Sequence, residues 1–323
     1  MQRRRVLSLG LAAIMGLGGL ASVAAQDATP TTQGQGATPR AAGTLSDLGL
    51  PELTITADER GLHVDQAEIP AGRYLVSLNV ATQGGYVASG FVRLGEGQSL
   101  DDLSLADESA AGTPIMEQAG APPVDVEWLY DAYIASGPST ITPQVVVDLP
   151  AGNYGIWPDD PGSVLALEGL TVTGDADPAA ISGPEPEAAV TIEQLGTGGE
   201  GFHFAVDGDL HAGPQVVKIV NNSEQPHFTS GFQYPQPLTI EQVMGALMFD
   251  PTTGATPPPD AIDFTQMRSV AYVPTQSSGT TTWAVIDLQP GQVGLECWIP
   301  DPLAGNIPHA LEGMIQLFDV AQG

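Results

Sequence analysis

The sequence is nearly without lysine and cysteine. Lys218 is the sole lysine of 323 residues, and Lys and Arg together number 9 against 38 Asp and Glu, a formal charge of −29. Binding nucleic acid without regard to sequence takes a dense Lys/Arg surface, so that class of partner is excluded, and an anionic membrane surface is an equally poor fit. A cationic protein or a metal cation would be drawn by the same field. Cys297 is the only cysteine, which rules out an intrachain disulfide. Histidines number 5, with no His-x-His pair. No Gly-x-Ser-x-Gly elbow, phosphate loop or His-Glu-x-x-His helix occurs, so the sequence gives no sign of an enzyme. Acid pairs such as Asp101-Asp102 and Asp159-Asp160 sit at turns or helix starts, where solvated structural roles are the rule.

The N-terminus reads as an export signal. Arg3, Arg4 and Arg5 precede an apolar run from Val6 to about Leu20, and small residues from Ala21 to Ala25 offer cleavage sites. Residues 1–25 are therefore set apart from the fold, and a chain beginning after them would carry a charge of about −32. No second apolar run reaches the roughly 18–20 residues needed to span a bilayer, and no cysteine follows the signal to carry a lipid. The expected location is secreted or extracytoplasmic, without stable membrane insertion.

Glycine (39) and proline (28) are abundant, which favours turn-rich β architecture over long helices. Residues 26–45 are small, polar and Pro/Gly-rich, as a flexible tether is. Residues 174–188 form a second such stretch and divide the rest into regions 46–173 and 189–323. These regions are repeats of one another, with matches kept in chain order at offsets of about 139 to 144 residues. Gly61-Leu62-His63-Val64 parallels Gly201-Phe202-His203-Phe204, and Ser89-Gly90-Phe91 parallels Ser230-Gly231-Phe232. Val147-Asp148-Leu149 parallels Ile286-Asp287-Leu288, and Trp157-Pro158-Asp159 parallels Trp298-Ile299-Pro300-Asp301. Each copy predicts one short helix, capped by Ser99 with Asp102 and by Thr239 with Gln242. The remainder reads as short strands between turns, so the expected fold is all-β, two tandem Greek-key β-sandwiches. Val293, Leu295, Cys297 and Ile299 share one face of a period-2 strand, which points the thiol inward.

The repeat is most informative where it fails. His227, His309 and Met314 of the second copy stand where the first has Tyr86, Leu165 and Leu170, and Cys297 falls where the first has Ile156 or in an insertion beside it. Two imidazoles, a thiolate and a thioether are the donors of a type 1 copper site, trigonal with a weak axial sulfur. His63 and His203 occupy equivalent positions in both copies and read as structural, and His211 belongs to no pattern.

With Asn221-Asn222-Ser223-Glu224-Gln225-Pro226-His227 after a strand, and Pro308-His309-Ala310-Leu311-Glu312-Gly313-Met314 before the last one, the second region resembles the cupredoxins, the plastocyanin and azurin family. The resemblance covers about residues 190–321 and, through the repeat, 50–173. It implies a cupredoxin-like sandwich holding one mononuclear copper on His227, Cys297, His309 and Met314, and a first sandwich without metal ligands. It also implies electron transfer through His309, with Leu303, Ile307, Pro308, Ala310 and Leu311 as a docking patch and a cationic redox protein as partner. Two features depart from the family pattern: eleven residues separate Cys297 from His309, and Phe228 rather than Asn follows His227. Five histidines cannot supply the trinuclear cluster of a multicopper oxidase. Two other readings use the same sequence, a metal-free extracellular binding or structural module and a copper storage or delivery protein.

Overall fold

The computed structural model describes residues 45–81, 86–101, 103, 130–159, 166–247 and 262–323. The export signal and all but the last residue of the first tether lie outside them. So do Leu165 and most of the helix expected after Ser99.

The chain is all-β, two β-sandwiches built from three main sheets. One sheet has eight strands: β1 (Glu52–Asp58), β2 (Gly61–Val64), β4 (Gly72–Val80) and β7 (Gln144–Leu149) from the first copy, with β10 (Val190–Thr197), β11 (Gly201–Asp207), β12 (Gly213–Asn221) and β15 (Thr281–Leu288) from the second. Its order is β11-β10-β12-β15-β7-β4-β1-β2. A five-stranded sheet made of β3 (Glu68–Pro70), β5 (Ser89–Arg93), β6 (Tyr133–Ala135), β8 (Gly152–Pro158) and β9 (Glu168–Thr173) serves the first copy. A four-stranded sheet of β13 (His227–Gln233), β14 (Arg268–Gln276), β16 (Gly291–Glu296) and β19 (Ile315–Val320) serves the second.

The long sheet reads the same from either end. From its middle outward the order is β15-β12-β10-β11 on one side and β7-β4-β1-β2 on the other, which are equivalent strands of the two copies. At the junction β15 and β7 run antiparallel, with Ala284 opposite Val145. These residues are counterparts in the repeat, so a pseudo-twofold axis passes beside this pair. The sequence suggested two sandwiches strung on a linker; the structure joins them edge to edge, which removes two exposed strand edges.

Central strands of such a sheet are covered on both faces and become apolar runs instead of alternating ones. Val145, Val146 and Val147 are all buried: the odd-numbered pair faces the main core, while Val146 packs on Leu45, Leu75, Val216 and Trp283 on the other side. The lone lysine is spent here, because Lys218 lies over the Trp283 ring at 5.4 Å and pairs with Glu185 of the 174–188 segment. Arg73 stacks on the same ring at 4.6 Å and pairs with Asp148 at 2.7 Å.

A second seam closes over β14. Ser136 and Ser139 donate hydroxyls to the carbonyls of Pro274 and Tyr272. Asp159 accepts from the Thr275 backbone N–H at 2.6 Å and from its hydroxyl. Burial pushes the Asp159 carboxyl up to about 6 against the pull of these donors.

The helix expected after Thr239 is present as α1 (Ile240–Leu247). Its capping box is complete: the Gln242 N–H reaches the Thr239 hydroxyl at 3.2 Å, and the Thr239 N–H reaches the Gln242 amide oxygen at 2.9 Å. On β16 the period-2 expectation is met for Val293, Leu295 and Cys297, but Glu296 and Trp298 of the other face are buried as well. Burial pushes the Glu296 carboxyl up to about 7.

Since the copies share a sheet and a clasp, calorimetry of the full chain is expected to show one unfolding transition. Trp283→Ala, which empties the junction, should cost about 3–5 kcal/mol and lower that transition without splitting it. Two separated transitions in the unmutated chain would contradict the shared sheet as a cooperative unit.

Candidate metal centre

The four residues singled out by the broken repeat come from three places at one end of the second sandwich. His227 opens β13, Cys297 follows the last residue of β16, His309 opens a short 3-10 turn, and Met314 immediately precedes β19. Three backbone hydrogen bonds tie the last three of these residues together, while His227 pairs with Gln276 of β14. The Cys297 N–H donates to the Met314 carbonyl at 3.1 Å, the Met314 N–H to the His309 carbonyl at 2.9 Å, and the His309 N–H to the Ile299 carbonyl at 2.8 Å.

That last bond explains why eleven intervening residues do no harm. Pro300 and Asp301 pair antiparallel with Pro308 and Ile307, so the insertion is pinched at its neck and His309 returns opposite Ile299. Within the excursion Gly305 and Asn306 take left-handed backbone angles, φ 74° and 63°, which turn the chain back.

The side chains converge. His227, Cys297 and His309 are each fully buried, and their donor atoms all lie within 4.8 Å of one another. Nδ1 of His309 is 2.9 Å from Nδ1 of His227 and 3.8 Å from the Cys297 sulfur. Nε2 of His227 is buried with no hydrogen-bond partner. Met314 is fully buried and held to the group through its backbone. Phe202 of β11 wedges beside both imidazoles, with ring centroids 4.9 Å from His227 and 4.2 Å from His309.

Two ring nitrogens facing each other at 2.9 Å must share a proton or a cation, because two lone pairs repel. Burial drives His227 well below the ordinary histidine range, and the neighbouring His309 adds to the effect. Burial also takes His309 down to about 3 although Asp301 opposes it. Both imidazoles are thus neutral, the form that binds metal. Burial pushes the Cys297 thiol up to about 12, with the Ile299 and Phe228 backbone N–H groups acting against it. A bound cation would offset what those two donors leave unmet, since metal ligation deprotonates a thiol. Metal–nitrogen bonds near 2.0 Å and metal–sulfur bonds near 2.3 Å place ligand atoms on one ion about 3 to 4 Å apart. The 2.9 and 3.8 Å separations lie close to that range, and the third, between His227 and Cys297, is within 4.8 Å. The donor set of two imidazoles and one thiolate is that of a trigonal copper site.

The docking patch expected around His309 is only partly there. Leu303 is 74% exposed and Ile307 44%, but Pro308 and Ala310 are buried and His309 does not reach the surface. The pinched excursion covers it, and the Tyr130 hydroxyl of the first sandwich bonds the Pro300 carbonyl from above. In the first copy Tyr86 and Leu170 are apolar or phenolic, so they offer no donor set.

Gln225 and Asp301 were missed in the sequence. Nε2 of His309 meets the Gln225 amide oxygen at 2.9 Å, and the Gln225 amide nitrogen donates to Asp301 at 2.8 Å. No signal marked them, because Asp301 matches Asp159 across the repeat and so does not stand out as the metal ligands do. His63 pairs with Asp58 at 3.1 Å and Glu168 at 3.6 Å on the surface of the first sandwich, and its counterpart His203 is exposed.

No family model and no curated protein matches the chain. Among solved structures it is similar to dithionite-reduced auracyanin from the photosynthetic bacterium Roseiflexus castenholzii, at 19% identity over 42% of this chain and 99% of that one, with a TM-score of 0.24. Auracyanin A, a blue copper protein from Chloroflexus aurantiacus, gives 19% identity over 38% and 98%, with a TM-score of 0.25. Copper nitrite reductase from Nitrosomonas europaea gives 11% over 84% and 93%, with a TM-score of 0.22. At such scores these likenesses add no weight to what the centre's own side chains say.

Because the thiol stays protonated up to about 12 while both imidazoles are already neutral, binding a divalent cation should release one proton. Apparent Zn(II) affinity of the full chain, measured by calorimetry, is then expected to rise about tenfold per pH unit from about pH 7 to 9. A flat profile would show that the thiolate takes no part.

Proposed function

We propose that this chain is an exported copper-binding protein of cupredoxin-like architecture whose second sandwich carries electrons through a single type 1 centre. One observation carries the reading: a His227–Cys297–His309 donor set, closed to solvent, stands in one sandwich where the other has Tyr86 in place of His227 and no cysteine or second histidine in place of the other two. Bound copper would supply a one-electron Cu(II)/Cu(I) couple.

The residues do the rest. Cys297 and His309 hang from a strand end and a turn fixed by backbone hydrogen bonds and His227 from a strand paired with β14, so these three residues would hold a metal without rearranging. Phe202 and the pinched excursion exclude water. Met314, buried and hydrogen-bonded through its backbone to Cys297 and His309, would supply a weak thioether donor that tunes the potential. Burial of His227, Cys297 and His309 suits a carrier that passes electrons better than a storage protein that must exchange its metal with solvent. A net charge of −29 suits a cationic redox partner.

Titrating the full chain with Cu(II) tests the reading. An intense visible thiolate-to-copper band at one equivalent is expected, absent in Cys297→Ala and bleached and restored over repeated cycles of reduction and air oxidation. Copper bound without the band would support storage or delivery instead, and no stoichiometric binding would leave a metal-free module.

A further inference from the structure

We infer that Asp301 and Gln225 form a positioning relay that fixes the ring of His309, so that the eleven-residue excursion supplies the centre with its own brace.

The argument runs inward from the carboxylate. Asp301 is fully buried and accepts from the Leu303 N–H at 2.7 Å, the Gly199 N–H at 3.0 Å and the Gln225 amide nitrogen at 2.8 Å, with the Glu312 carboxyl also beside it. An ionised carboxylate can only accept, so the Gln225 side chain must turn its NH2 towards Asp301. Its oxygen then faces Nε2 of His309 at 2.9 Å. An amide oxygen can only accept too, so His309 must carry its proton on Nε2. Nδ1 is thereby left with its lone pair directed at Nδ1 of His227, 2.9 Å away, and near the Cys297 sulfur at 3.8 Å. Each step follows from which atoms can donate.

The surroundings are shaped for this. A Cβ at Gly198 would sit 2.6 Å from the Gln225 amide nitrogen and 2.6 Å from a Leu303 methyl, so only glycine leaves the relay its space. The next residue, Gly199, has φ +78° and donates its N–H to Asp301. Asp301 also caps the short turn Pro302–Ala304 and receives at its carbonyl the Asn306 N–H at 2.7 Å. The residue that folds the excursion is therefore the one that orients the ligand beneath it. Its counterpart Asp159 spends the same carboxylate on Thr275 at the seam between sandwiches, so the role is confined to the copy with the donor set.

The inference rests on the copper reading for its purpose but not for its test. In the metal-free full chain, long-range 1H–15N spectra of imidazole nitrogens report each histidine's tautomer. His309 should be wholly Nε2-protonated. In Asp301→Ala, which removes no atom touching His309, the Gln225 amide is free to flip and the Nδ1-protonated form should appear. Adding Gln225→Glu to that variant puts an acceptor-only group directly on His309 and should restore the Nε2 proton. Gln225→Leu, nearly isosteric, should lose the single tautomer and weaken Cu(II) binding about 10- to 100-fold, with a lowered unfolding temperature from the partners it leaves unmet on His309 and Asp301. A His309 that stays wholly Nε2-protonated in both Asp301→Ala and Gln225→Leu would overturn the relay, whatever the copper titration shows.

Discussion

Two neutral imidazole nitrogens held 2.9 Å apart beside a thiol, all sealed from water, are the constraint on which the rest of the site turns. Buried polar groups left without partners cost about 1–3 kcal/mol each, and here an orphaned Nε2 on His227 is left in the same small space. The protein accepts this arrangement and reinforces it. Backbone bonds fix the strand ends, Phe202 fills the flank, and Gln225 sets the proton on the outer nitrogen of His309. A cation held by the two Nδ1 atoms and the Cys297 sulfur would replace the facing lone pairs and the buried thiol proton, while Nε2 of His227 would keep its proton without a partner.

The two copies of the repeat divide the labour. Their equivalent strands β7 and β15 meet about a pseudo-twofold axis, which turns two open sheet edges into the middle of an eight-stranded sheet. The first sandwich reaches across with Asp159, Ser136 and Ser139 to hold β14, the neighbour of the strand that His227 opens, and with Tyr130 to hold the neck of the excursion. A sandwich with no donor set of its own thus closes the site of the other.

Much of this was legible in the sequence because it depends on local pattern. The strands follow from Val, Ile and aromatic runs between turns, and the capping box at Thr239 and Gln242 formed as its spacing dictated. The convergence of His227, Cys297 and His309 was legible because a repeat offers its own control: Tyr86 marks what the position of His227 holds in the other copy. What was not legible depends on chain segments meeting at long range. Nothing local in Val145 to Val147 says that they face another sandwich's strand instead of solvent, although the unbroken apolar run is what a central strand requires. The burial of His309 was missed because the excursion reads as an open loop until Pro300 is seen opposite Pro308. Gln225 passes in the sequence for one more polar residue of a turn, and its role exists only once Asp301 arrives 76 residues later in the chain.

The measurement that bears most directly on the central claim is X-ray absorption at the copper edge of the Cu(II)-loaded full chain. The account predicts one sulfur and two imidazole nitrogens in the first coordination sphere, with the sulfur lost in Cys297→Ala. A first sphere of nitrogen and oxygen alone, or one unchanged by that substitution, would contradict it.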